Sequence, residues 1–183
     1  MEQEKQKTGE ELAAKIMEYA RDELMISMRF LDRALFRMPL VAADSVAAFG
    51  VDGATMYYNP EYVLHAFKRE KNACTRAFLH MILHCIFSHP FQYEKLDREC
   101  WDLATDLAVE QSILDLNLKC VELERDASLK RTLSHLAQKV PILTAEKIYR
   151  WLYENPEESA EFFREEPQFM WDDHLKWIPL KEN

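Results

Sequence analysis

Apolar side chains at Leu12, Ile16, Ala20, Leu24, Met28, Leu31 and Leu35 recur every three to four residues, which predicts one long amphipathic helix ending before Pro39. Thr8 followed by Glu11 has the capping-box form that opens such a helix. The rhythm changes between Val46 and Tyr58. Val46-Ala-Ala-Phe49, a turn around Val51-Asp52-Gly53, and Ala54-Thr-Met-Tyr-Tyr58 predict a short β-hairpin, the one β segment the pattern supports. Asn59-Pro60 puts a capping side chain ahead of a proline at the first helical position, so a short helix is expected through about Phe67. Residues 72–88 carry apolar groups at nearly every helical angle, and Pro90 disfavours α conformation at His89; a buried core helix should end near Ser88. Beyond a connection from Phe91 to Asp97, a second strong helix runs from about Arg98 to Leu118, and weaker helical patterns follow at 127–139, 144–154 and 157–164. The expected fold class is α+β, predominantly helical, with a small hairpin beside a buried helix. Neither a Gly/Ser-rich linker nor an internal repeat divides the chain, so residues 1–183 read as a single domain.

Composition narrows the function. A hydrophobic content of 48% beside 30% charged residues suits one sizeable core, and a net charge of -9 argues against nucleic acid as a partner. With glycine only at Gly9, Gly50 and Gly53, neither a dinucleotide-binding loop nor a phosphate loop of the P-loop type can be written. The N-terminus lacks the apolar stretch of a secretion signal, and no apolar run approaches the roughly 20 residues of a membrane span. A soluble, cytoplasmic protein with no membrane partner is expected. Cys74, Cys85, Cys100 and Cys120 show no C-x-x-C spacing and read as buried thiols.

His80 and His84 stand four apart on the core helix, which puts their side chains on one face about 5–6 Å apart at Cβ, close enough for one metal ion. Two satisfied core histidines are the plainer alternative. On the second helix Glu99, Asp102, Asp106 and Glu110 form a stripe flanked by Leu103, Leu107, Val109 and Leu114, while Thr105, Gln111, Ser112 and Asp115 supply a solvated opposite face. Carboxylates facing a core must be paired or hold a cation, which makes Asp106 the best third ligand; a solvated charge row at the molecule's edge is the bland reading. His89 is the competing third ligand, although a continued helix would carry it to the face opposite His80. Cys85 should pack, His65 and His135 stand alone, and His174, beside Asp173, is a candidate for supporting a metal ligand or contacting substrate.

Four segments resemble the metallopeptidase domain that often precedes a von Willebrand factor A-like domain in bacterial proteins. They are Asp52-Gly53 with Met56-Tyr57-Tyr58-Asn59-Pro60, His80-Met-Ile-Leu-His84-Cys-Ile-Phe-Ser-His89-Pro90, Trp101-Asp102-Leu103-Ala104-Thr105-Asp106, and Asp172-Asp173-His174 with Trp177. The resemblance implies a zincin-like fold, one zinc ion on His80, His84 and Asp106, and peptide-bond hydrolysis, with a strand edge holding an extended peptide or protein substrate. It also implies a C-terminal VWA-like domain beyond this chain and a MoxR-type AAA+ ATPase as partner.

In an active zincin the first histidine is followed by glutamate, the general base; here that position is Met81, whose thioether cannot take a proton. Glu110 or Asp102 is then the candidate substitute base, and restoring glutamate at position 81 should raise turnover. The alternatives are a zinc site retained without turnover and a relict site without metal. A non-enzymatic helical module that binds a protein partner is the reading from a different functional class.

Overall fold

The described residues are mostly helical, and two of the helices open on a side-chain cap. The computed structural model describes residues 2–92, 96–165, 170–172 and 174–177. In chain order the elements are α1 (Glu2–Ser27), α2 (Asp32–Arg37), β1 (Leu40–Ala42), β2 (Phe49–Val51), β3 (Met56–Tyr58), α3 (Pro60–Arg69), α4 (Ala73–Ile86), α5 (Arg98–Leu116), α6 (Asp126–Lys139), α7 (Ala145–Glu154) and α8 (Pro156–Glu165). Short 3-10 turns lie at Arg29–Leu31, His89–Phe91, Lys119–Val121 and His174–Trp177. Asn59 Oδ1 accepts from the Tyr62 N–H at 3.1 Å and caps α3, with Pro60 in its first turn. Asp97 Oδ1 does the same for α5 from the Cys100 N–H at 3.0 Å. Helix α4 stops where Ser88 turns left-handed (φ 62) ahead of Pro90.

The N-terminal third departs from expectation. Helix α1 already starts at Glu2, so Thr8 lies inside it rather than at its cap, and Leu12 is 51% exposed while Ala13 and Met17 turn inward. The single long helix is broken at Met28 (φ -136, ψ 65), where neither proline nor glycine announces a break. A straight helix would carry Leu35 about 10 Å past Met28. Redirecting the chain buries both in one core.

The hairpin forms, with β2 antiparallel to β3, but its first strand begins at Phe49. A strand absent from the sequence reading, β1, adds in parallel to the other edge of β3, with Leu40 opposite Met56. Three residues are too few for alternation to register. Asp52 Oδ1 accepts from Ala54 and Thr55 N–H groups to fold the β2–β3 turn. Gly53 there has φ 90, and a Cβ would lie 2.6 Å from Phe91 Cζ, so the position requires glycine on two counts.

Two hydrophobic clusters result. The first joins α1, the sheet, α3 and α4; the second joins α5, α6, α7, α8 and Trp177. Helix α5 runs between them, giving Val109 and Ile113 to the first and Leu103, Leu107 and Ala108 to the second. Of the four cysteines, all free, only Cys74 is buried; Cys85, Cys100 and Cys120 are half-buried, correcting their reading as core thiols.

Candidate metal centre

Arg76, His80 and His84 follow one another at four-residue spacing on α4 and are all buried, so this stripe faces protein rather than water. The facing stripe of α5 supplies Asp102, Asp106 and Glu110. Asp106 and Glu110 are buried, Asp102 is half-buried and Glu99 is exposed, so the acidic row enters the interior only from its second member onward. A third strand of chain closes the site: Asp172 makes a parallel β-bridge to Phe49, and the turn after it brings in His174 and Trp177.

His80 Nε2 and His84 Nε2 lie 2.8 Å apart, each 3.2 Å from Asp106 Oδ1. Asp172 Oδ1 is 3.6 Å from His80 Nε2 and 3.9 Å from His84 Nε2. One ligand atom from each of these four buried residues falls within 4.8 Å of the others. Donors at the corners of a tetrahedron around zinc, bound at 2.0–2.2 Å, would be roughly 3.2–3.6 Å apart, and most of these separations are of that size. Both Asp172 oxygens and His174 Nε2 are buried without an aligned hydrogen bond, although Asp172 Oδ1 and His174 Nε2 are only 3.2 Å apart. The two buried Asp172 oxygens, left in this state, fit a shared cation. The donor set, two imidazoles and two carboxylates, suits a divalent ion.

The second ring nitrogens are also occupied. His80 Nδ1 is 2.8 Å from Glu110 Oε1, and Glu110 in turn pairs with Arg76, whose guanidinium also donates to the Val121 carbonyl. A carboxylate only accepts, so Nδ1 carries the proton and Nε2 is turned toward Asp106. His84 Nδ1 lies 3.0 Å from His89 Nδ1, so His89 sits on the far edge of the His84 ring from the cluster. His174 Nδ1 is 3.1 Å from Asp102 Oδ1, its Nε2 is 3.2 Å from Asp106 Oδ1, and its ring stacks on Trp177 at 3.8 Å.

Burial pushes the His80 pKa down, but hydrogen bonds and charge from Asp106 and Glu110 outweigh it and hold the group at about 9. His174 is likewise raised, against burial, by Asp172 and Asp106. Burial pushes Glu110 up, yet His80 and Arg76 hold it at about 2. Asp106 lies well below the usual carboxylate range because surrounding imidazoles offset its burial. His89, with burial foremost and His84 beside it, falls to about 3.

Met81 is fully buried within the first hydrophobic cluster. Thr105, assigned from its helical angle to the solvated face, is buried and donates to the carbonyls of Trp101 and Asp102. The second cluster covers that side of α5. His65 and His135 are surface groups beside Glu61 and Glu161. Asp173 lies outside the described residues. Two participants escaped the sequence reading. Arg76 had a signal, since it stands four residues before His80 in the same stripe. Asp172 had none beyond its place in the Asp172-Asp173-His174 segment.

The model of the family described as "Putative metallopeptidase domain" matches residues 14–169. The chain belongs to this family. The matched span holds Arg76, His80, His84, Asp106 and Glu110, while Asp172 and His174 follow just after it. No curated protein and no solved structure matches the chain. No helix among the described residues of this metallopeptidase-family domain is long and apolar enough to cross a membrane.

Proposed function

We propose that the chain is a metal-dependent hydrolase of the peptidase class, with zinc held by His80, His84 and Asp106 and with Asp172 as fourth donor. The observation that carries this reading is the convergence of these four buried side chains beside a cavity of about 320 Å³ that Asp106, Asp172 and His174 help to line. A helix bearing two histidines, packed beside an acidic helix and next to a small sheet, is a zincin-like arrangement. A divalent ion bound here would supply Lewis acidity to a substrate carbonyl.

The chain's own residues divide the remaining work. Glu110, fixed by Arg76, holds the His80 ring so that Nε2 faces the cluster. Asp102 orients His174, which borders the cavity and whose buried Nε2 is held 3.2 Å from Asp106 Oδ1 and Asp172 Oδ1. Both substitute bases are paired, Glu110 with His80 and Arg76 and Asp102 with His174 and Arg98, but only Asp102 borders the cavity, where it can receive a proton.

A second reading, a closed metal centre without turnover, is favoured by the completeness of the four-donor set, since structural zinc sites keep no open position. Metal analysis combined with hydrolysis of an unfolded protein substrate separates the two. Stoichiometric zinc with hydrolysis, both lost in His84→Ala, is expected. Zinc without hydrolysis selects the closed centre, and protein that neither retains nor takes up a divalent ion overturns both.

A further inference from the structure

The four-donor centre and the cavity overlap only in part. Of the four donors, Asp106 and Asp172 reach the cavity, where His174 joins them. Two imidazoles and two carboxylates complete a tetrahedral ion, which leaves His174 Nε2 no position on it. Yet His174 is set up as His80 is. His80 has Nδ1 2.8 Å from Glu110 Oε1 and Nε2 3.2 Å from Asp106 Oδ1. His174 has Nδ1 3.1 Å from Asp102 Oδ1 and Nε2 3.2 Å from both Asp106 Oδ1 and Asp172 Oδ1. A carboxylate behind one ring nitrogen fixes the tautomer and turns the other nitrogen to a metal, the usual support of a histidine ligand. His174 Nε2 and both Asp172 oxygens are buried without an aligned hydrogen bond, on side chains only 7% and 0% exposed.

From this arrangement we infer a second divalent-cation site, formed by His174 Nε2 with Asp106 and Asp172, whose carboxylates it shares with the first. A carboxylate offers about four lone-pair positions and can serve two ions, which in paired sites lie about 3.5–4 Å apart. The inference rests on the metal-hydrolase reading above and deepens it. The first ion is enclosed by four protein donors, whereas the second has three and faces the cavity, so substrate oxygen meets the second.

Metal binding tests this without turnover. Metal-free protein titrated calorimetrically with zinc should take up two ions per chain, the first more tightly. His174→Ala should keep the first ion and lose the second. Asp102→Asn should weaken the second by about 10-fold or more and leave the first unchanged; equal weakening of both would overturn the inference even if His174→Ala failed to fold. Cobalt(II) reports the sharing, because ions on common carboxylates couple magnetically: electron paramagnetic resonance intensity per ion should fall between one and two equivalents. One ion per chain at millimolar free zinc would overturn the second site and leave the first intact. A second ion that survives in His174→Ala, on a surface pair such as His65 and Glu61, or two cobalt ions without coupling, would do the same. Uptake of no ion at all is the separate result that removes the hydrolase reading as well.

Discussion

His80 Nδ1 meets Glu110 Oε1 at 2.8 Å, with both side chains fully buried. This contact fixes which ring nitrogen faces the cluster, so Glu110 acts through His80 rather than on a substrate. Glu110→Gln keeps the volume and an oxygen acceptor but loses the charge, and should weaken zinc affinity by about 10–100-fold in a chelator competition. Glu110→Ala also strips the buried Arg76 of its main partner and should cost about 3–5 kcal/mol in urea unfolding. Unchanged zinc affinity in Glu110→Gln would remove the orienting role.

Zinc uptake should release protons. Without a cation His80 is held at about 9, so at pH 7 it is an imidazolium whose Nε2 proton must leave before the nitrogen can bind. Calorimetric titration at pH 7 in buffers of different ionisation enthalpy should give at least one proton per zinc, with apparent affinity rising up to about pH 9. A buffer-independent heat would contradict the assignment of His80 as a ligand. Full zinc retention at about pH 4, below the usual imidazole range, would contradict the site as a whole.

The metal-free protein should be most stable near pH 6.5. His80, raised from 6.5 to about 9, stabilises the fold fully below 6.5, and that contribution is lost as pH rises through 9. His89, depressed from 6.5 to about 3, contributes above 6.5 and is lost as pH falls toward 3. Glu110, depressed from 4.5 to about 2, adds to the acid loss. Thermal melts of zinc-free protein from pH 4 to 9.5 should therefore peak near neutrality and fall on both sides. With zinc bound, the alkaline loss attributable to His80 should disappear, because its proton has already been displaced.

Restoring the residue expected at position 81 should fail. Met81 packs wholly within the first hydrophobic cluster, so Met81→Glu buries a carboxylate among apolar groups. The variant should be destabilised by about 3 kcal/mol or more in denaturant titration and show no gain in hydrolysis. A stable variant with raised turnover would mean that position 81 faces the substrate, as the bare His-x-x-x-His pattern suggested.

Local pattern determined a definite part of this protein. Four-residue spacing alone aligned His80 with His84 and Asp102 with Asp106 and Glu110, because helical periodicity is written into neighbouring residues. Asn59-Pro60 announced the start of α3 for the same reason, whereas the Asp97 cap of α5 emerged only with the structure. Tertiary structure alone decided the rest. It broke α1 at Met28, added β1, turned Met81 into the core and covered Thr105. It also brought Asp172 back against Phe49 and into reach of His80 and His84. Contacts between segments so far apart depend on how every intervening element packs, and no short-range periodicity records that.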